Sequence, residues 1–235
     1  MKVIFAAFAL LSCGIHAASE DLPRQMRVSL QFIEVTHPML SEMLSGKETN
    51  GPAFHDRADT LCKQGKAKLL ETCMLVCRNG QQATLETICE EIYPMEYESP
   101  GRRSGPTVIG GLDPGNNLPP SPLFRAPVAF DTRNTGVTFK VISTLSSTHT
   151  IDLQLSPEIV TPLRLETWME HIDQRGDASI RMPIYETWKL NNSLRVESGK
   201  FELVSVITPK PNAPVPAVLR KIMVFVRADI LPVPE

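Results

Sequence analysis

The chain has 235 residues, of which 42% are hydrophobic, 6% aromatic and 21% charged, with a net charge of −2. The apolar fraction excludes a wholly disordered chain, and the near-neutral balance supplies no electrostatic footprint for nucleic acid. The 20 prolines against 13 glycines argue against a bundle of long helices, because each interior proline costs a helix about 3 kcal/mol.

Lys2 precedes an apolar run at residues 3–11, and small residues then lead to Ile15-His16-Ala17-Ala18. A positive end, an apolar run and a small-residue break form an export signal, so residues 1–17 are read as a signal peptide cleaved after Ala17. The run is well short of the ~20 residues that span a bilayer as a helix. Leu10-Leu11-Ser12-Cys13 loosely resembles a lipobox, with Leu11 a poor fit, so lipid anchoring at Cys13 is the lesser expectation. Removal of the signal leaves Cys62, Cys73, Cys77 and Cys89. An even number in an exported chain permits two disulfides. Cys73 and Cys77 lie about 13 Å apart on a strand, too far for one zinc ion. Buried free thiols, or a single disulfide, are expected.

Residues 26–35 alternate as a strand, with Val28, Leu30 and Phe32 set against Ser29 and Gln31. His37-Pro38 opens a short helix whose stripe is Met39, Leu40, Met43 and Leu44, and Gly46 ends it. A second helix runs from Pro52 to Gly65, proline in front and glycine behind, with Phe54, Ala58, Leu61 and Cys62 on one face. Runs at 66–78 and 81–97 flank Asn79-Gly80, the pair suited to a type I′ turn, and predict a hairpin; a two-residue loop sets Cys73 opposite Glu86 and Leu70 opposite Cys89, and a one-residue bulge reverses the facing.

Eight of the 20 prolines fall between Pro94 and Pro127, and five of the 13 glycines between Gly101 and Gly115. Residues 98–127 are therefore read as a long loop, either functional or disordered. It is also the expected contact surface if anything is bound, because loops on rigid scaffolds carry recognition. Strands follow at 136–141 and 151–155, then an irregular stretch at 157–181 with a weak helix or loop reading. Further strands are predicted at 182–196, 200–208 and 220–230, and the wholly apolar Ile222 to Val226 marks the last as central. The fold class is α+β and strand-rich, with seven or eight strands in β-hairpins and two or three short helices.

No G-x-S-x-G elbow and no G-x-x-x-x-G-K-[ST] loop occurs, and Gly110-Gly111 sits in the proline-rich segment. His37, His55, His149 and His171 are scattered without metal-ligand spacing. Glu90-Glu91, and Glu96 with Glu98, are acidic pairs near strand ends, where carboxylates are usually solvated. The sequence nominates no catalytic, cofactor-binding or metal-binding residue, and the chain is not expected to be an enzyme.

Val28-Ser-Leu-Gln-Phe-Ile-Glu-Val35 is similar to the opening strand of the bacterial secretin domain of type II and type III secretion systems, and the short motifs that follow resemble that family in their order. Gly65-Lys-Ala-Lys-Leu-Leu70, Met74-Leu-Val-Cys-Arg-Asn-Gly-Gln-Gln-Ala83 and Glu90-Glu-Ile-Tyr-Pro94 resemble the next element. Asn134-Thr-Gly-Val-Thr-Phe-Lys-Val141 with Thr150-Ile-Asp-Leu-Gln-Leu-Ser-Pro157 is similar to the glycine-led strand and its hairpin partner. Pro183-Ile-Tyr-Glu-Thr187 through Asn191-Asn-Ser-Leu-Arg-Val-Glu-Ser-Gly199 resembles the penultimate hairpin, and Lys221-Ile-Met-Val-Phe-Val226 the closing strand. The stretch after Lys200 departs from the family: neither 201–208 nor 209–219 holds a glycine where the family carries glycine signatures.

The resemblance implies a degenerate secretin-like protein lacking the N-terminal ring domains. The secretin-like domain is expected to have an N-terminal part at 18–97 and a C-terminal β part at 128–235, on either side of the 98–127 loop. It implies a periplasmic or outer-membrane component of a Gram-negative-type envelope, working as a homo-oligomer by strand pairing with secretion-system or envelope partners. The alternative is a soluble periplasmic interaction module derived from the same domain that forms no pore. Nucleic acid is not an expected partner.

Overall fold

The computed structural model describes residues 24–97, 127–173, 176–177, 179–210 and 219–232. The signal peptide and the loop at 98–126 lie outside the described residues. The elements are β1 (Gln25–Thr36), α1 (His37–Leu44), α2 (Pro52–Lys63), β2 (Lys68–Arg78), β3 (Gln82–Tyr97), β4 (Pro127–Leu145) and β5 (Thr150–Met169). Two-residue strands β6 (Ile172–Asp173) and β7 (Gly176–Asp177) precede β8 (Ile180–Lys189), β9 (Asn192–Glu197), β10 (Phe201–Ile207) and β11 (Arg220–Ile230). The α+β, strand-rich class is as the sequence predicts.

Alternation along β1 and β11 builds three layers. One sheet has the order β10-β11-β1-β2, and its core strand β11 places each of Ile222 to Val226 at 0% exposure. Ile222, Val224, Val226 and Ala228 join Met26, Val28, Leu30 and Phe32 on one face. Met223 and Phe225, with Ile33 and Val35, meet Leu40 and Met43 of α1 and Phe54 and Ala58 of α2 on the other. Phe54 and Phe225 lie 6.0 Å apart between ring centres, and each contributes about 1.5–3 kcal/mol by leaving water. The second sheet, β3-β4-β5-β8 with β9 continuing the β8 edge along β5, supplies Val137, Phe139, Val141, Ile151, Leu153 and Leu155 to the sandwich core.

The Asn79-Gly80 hairpin does not form. β2 pairs with β1 and β3 with β4, so the predicted oppositions of Cys73 with Glu86 and Leu70 with Cys89 are wrong. Among the described residues only glycines have positive φ; Gly80 has φ 73 and Asn79 does not share it, so the I′ geometry is absent. The turn is a corner between sheets instead. Asn79 N–H donates to the Arg24 carbonyl at 3.1 Å, Gly80 N–H to the Ser143 carbonyl at 2.8 Å, and Asn79 Oδ1 accepts from Leu145 N–H at 2.8 Å. Cys73, Leu75 and Cys77 of β2 and Ala83 and Leu85 of β3 pack into the same cluster. Stacking the strands face to face buries both apolar faces, which outweighs the local turn preference.

The irregular reading of 157–181 is also overturned, since β5 runs on to Met169 despite Pro157 and Pro162. Pro157 lies where β8 gives way to β9, and its carbonyl still accepts from Leu190 N–H at 3.1 Å. At Pro162 the β4 ladder has ended and the β8 ladder shifts by a bulge. Both prolines thus occupy places where a missing N–H leaves no ladder bond unmade.

Candidate functional site

The candidate chemistry separates in space. The four cysteines among the described residues are free: Cys73 and Cys77 are buried, Cys62 half-buried and Cys89 exposed. Burial pushes the Cys73 thiol up to about 11, and Cys77 Sγ lies 2.9 Å from Ser143 Oγ, so the two behave as small core residues. Among the described residues no group of three or more His, Cys, Asp or Glu is placed to hold a metal ion. Of the acidic pairs, Glu98 lies outside the described residues, and Glu90 and Glu91 point to opposite faces of β3, as neighbours on a strand must.

Among the described residues His55 is the most enclosed histidine. Its Nε2 lies 2.8 Å from Gln31 Oε1, and its ring stacks on Phe201 at 3.7 Å and meets Phe225 edge-on at 5.1 Å. Burial lowers its pKa below 6.5, against the opposing pull of Asp56 and Asp59. The Arg227 guanidinium lies 5.7 Å from the Phe201 ring and bonds Asp229, which Arg27 also holds at 3.1 Å. This chain of contacts ties α2 to β10, β11 and β1, a packing role.

The feature with functional reach is the fork in the second sheet. β3, β4 and β5 are 16, 19 and 20 residues long, yet β4 and β5 pair only from Gly136↔Val160 to Leu145↔Ile151. Beyond that rung the sheet divides into a β3–β4 arm and a β5–β8 arm. Gly136, at φ 115, sits at the division, and a Cβ there would fall 2.1 Å from the Thr87 carbonyl oxygen. Only glycine admits this approach.

The alternation changes sides at the fork. Within the sandwich the odd positions of β3 and β4 are apolar: Ala83, Leu85, Val137, Phe139 and Val141. In the arm the odd positions carry Glu91, Tyr93, Asp131 and Arg133, and the even ones carry Ile88, Ile92, Val128 and Phe130, all exposed. The end of the other arm exposes Leu165, Trp168, Met169 and Ile172. Large apolar side chains are thus left in water toward the ends of both arms. The contact surface expected at 98–127 falls almost wholly outside the described residues, and these exposed apolar side chains lie on β3 and β4, which flank it, at the end of β5 and in β6. The signal that could have found them is the switch of apolar positions from odd to even on passing Gly136.

Polar side chains tie the arms together. Tyr185 Oη donates to Glu91 Oε2 at 3.1 Å, and the Arg133 guanidinium lies 6.0 Å from the Tyr185 ring centre. Tyr93 Oη donates to Asp131 Oδ2 at 3.2 Å within the β3–β4 arm. Burial, with the Glu91 bond second, pushes the Tyr185 phenol up to about 12, so its hydroxyl stays a proton donor at neutral pH. No helix of the described residues is long and apolar enough to cross a membrane.

No family model and no curated protein matches the sequence. Among solved structures, the chain is similar to the secretin domain β-barrel of InvG from the Salmonella SPI-1 injectisome, at TM-score 0.43 and 12% identity, over 91% of this chain and 64% of that one. It is similar to the type II secretion system secretin GspD of E. coli K12 at TM-score 0.40 and 12% identity, over 89% of this chain and 50% of that one. The Vibrio cholerae type IV competence pilus secretin PilQ follows at TM-score 0.39 and 10% identity, over 89% of this chain and 61% of that one. The chain thus spans less than two thirds of the length of these secretins.

Proposed function

We propose that the chain is a secretin-like component of a bacterial envelope that assembles with copies of itself by strand pairing, as a building and binding element and not an enzyme. The observation that carries this reading is the forked sheet: its outer strands β3 and β8 each have a ladder on one side only, and both arms end in exposed apolar side chains. An unpaired edge of this length is a template for another strand, and closure across subunits satisfies it. The ordered secretin-like motifs of the sequence support the same reading and its exported setting.

The test is detergent extraction of the expressed full chain, followed by native gels and negative-stain imaging. Rings of many subunits that survive mild denaturant are the expected result. A monodisperse monomer in the periplasmic fraction would overturn the reading in favour of a soluble interaction module, which the missing glycines of 201–219 favour.

A further inference from the structure

Tyr185 joins two strands that no backbone ladder joins. It stands on β8, its acceptor Glu91 on β3, and Arg133, whose guanidinium lies by its ring, on β4 directly opposite Glu91. The contact therefore reaches from one arm to the other, between residues 94 positions apart in sequence. β3 and β8 approach each other here although they bound the sheet on opposite sides. Each has a ladder on one side only, so each offers an edge to which a further strand can add.

The bond is charge-assisted yet able to open, since 3.1 Å is longer than the roughly 2.5–2.7 Å of the strongest hydroxyl–carboxylate bonds. Its donor is a part-buried phenol, its acceptor is a carboxylate, and the ring is covered by a cation, so the pieces reinforce one another. The neighbouring pair Tyr93–Asp131 lies within one arm and bridges nothing. Breaking the Tyr185–Glu91 contact costs two polar groups their partners and removes the side-chain bond between β3 and β8.

We propose that the Tyr185–Glu91–Arg133 contact is an autoinhibitory latch, holding β3 and β8 together in the single chain and opening before either edge accepts a strand from a second copy. This inference rests on the strand-pairing reading given above. A latch of this kind keeps apolar arm ends and open edges from pairing at random before assembly.

The test follows assembly of the purified full chain by sedimentation velocity over time. Tyr185→Phe keeps the ring and removes the donor, and Glu91→Ala removes the acceptor at a half-buried position, so one variant stands in if the other folds poorly. Loss of one charge-assisted bond is expected to speed assembly about tenfold. Glu91→Cys with Tyr185→Cys, in a Cys62→Ser and Cys89→Ser background and tethered by a short bis-maleimide, is expected to stay monomeric while its untethered form assembles. Wild-type rates in both released variants, or assembly of the tethered chain, would sink the latch alone. If wild type and released variants all remain monomers, the assembly reading itself falls, and the latch with it.

Discussion

His55 shows how one side chain couples packing to pH. Its imidazole is held neutral between Phe201 and Phe225 with Gln31 as its polar partner, and burial keeps its folded pKa below 6.5. In the unfolded chain the same ring titrates near 6.5. As pH falls through 6.5 the unfolded state takes up the proton before the folded state does, so stability declines toward acid and rises toward neutral pH. Urea unfolding of the wild type at pH 7.5 and 5.5 should show this loss, and His55→Gln should flatten the part of the slope that His55 contributes. An unchanged slope would show that the ring takes up its proton in place.

Among the elements, β4 changes role along its length, and Gly136 is the pivot. Toward Leu145 it is a central strand with a buried odd face, and toward Pro127 it is half of a two-stranded arm with its exposed apolar residues on the even face. Gly136→Ala introduces a Cβ against the Thr87 carbonyl in a backbone conformation alanine avoids. Strain at such a position is of order 1–3 kcal/mol, and the clash adds to it, so a loss of at least about 2 kcal/mol is expected in chemical denaturation. A loss under about 0.5 kcal/mol, the range of ordinary surface changes, would mean the fork relaxes freely around this residue.

The elements also show what local pattern can carry. The helices at His37 and Pro52 and the buried strand at Ile222 to Val226 were legible, because capping prolines and apolar spacing are properties of neighbouring residues. The Asn79-Gly80 hairpin was not, because the same two residues serve a corner as well as a turn. The choice depended on whether β2 and β3 gained more from each other's edges or from each other's faces. The extension of β5 through Pro157 and Pro162 was hidden for a related reason: a proline is tolerated only where the neighbouring ladder happens to be interrupted.

Over the whole molecule, the helix layer and the sandwich share one dense block, and the arms project from it with little core of their own. Local stability should follow that division. Amide hydrogen exchange is expected to be slowest along β11 and β1, and markedly faster in the arm portions of β3 and β8 than in β4 and β5 between Gly136 and Ile159. Uniform protection along β4 would contradict the forked arrangement.

Composition and alternation by themselves determined that this chain is strand-rich, that two short helices follow the first strand, and that its last strand is central. These follow from side-chain periodicity, which acts over a few residues. Only the tertiary structure decided that β2 and β3 belong to different sheets, that β4 and β5 part at Gly136, and that Tyr185 finds Glu91. Those outcomes depend on which distant faces exclude water together, and no local spacing encodes that choice.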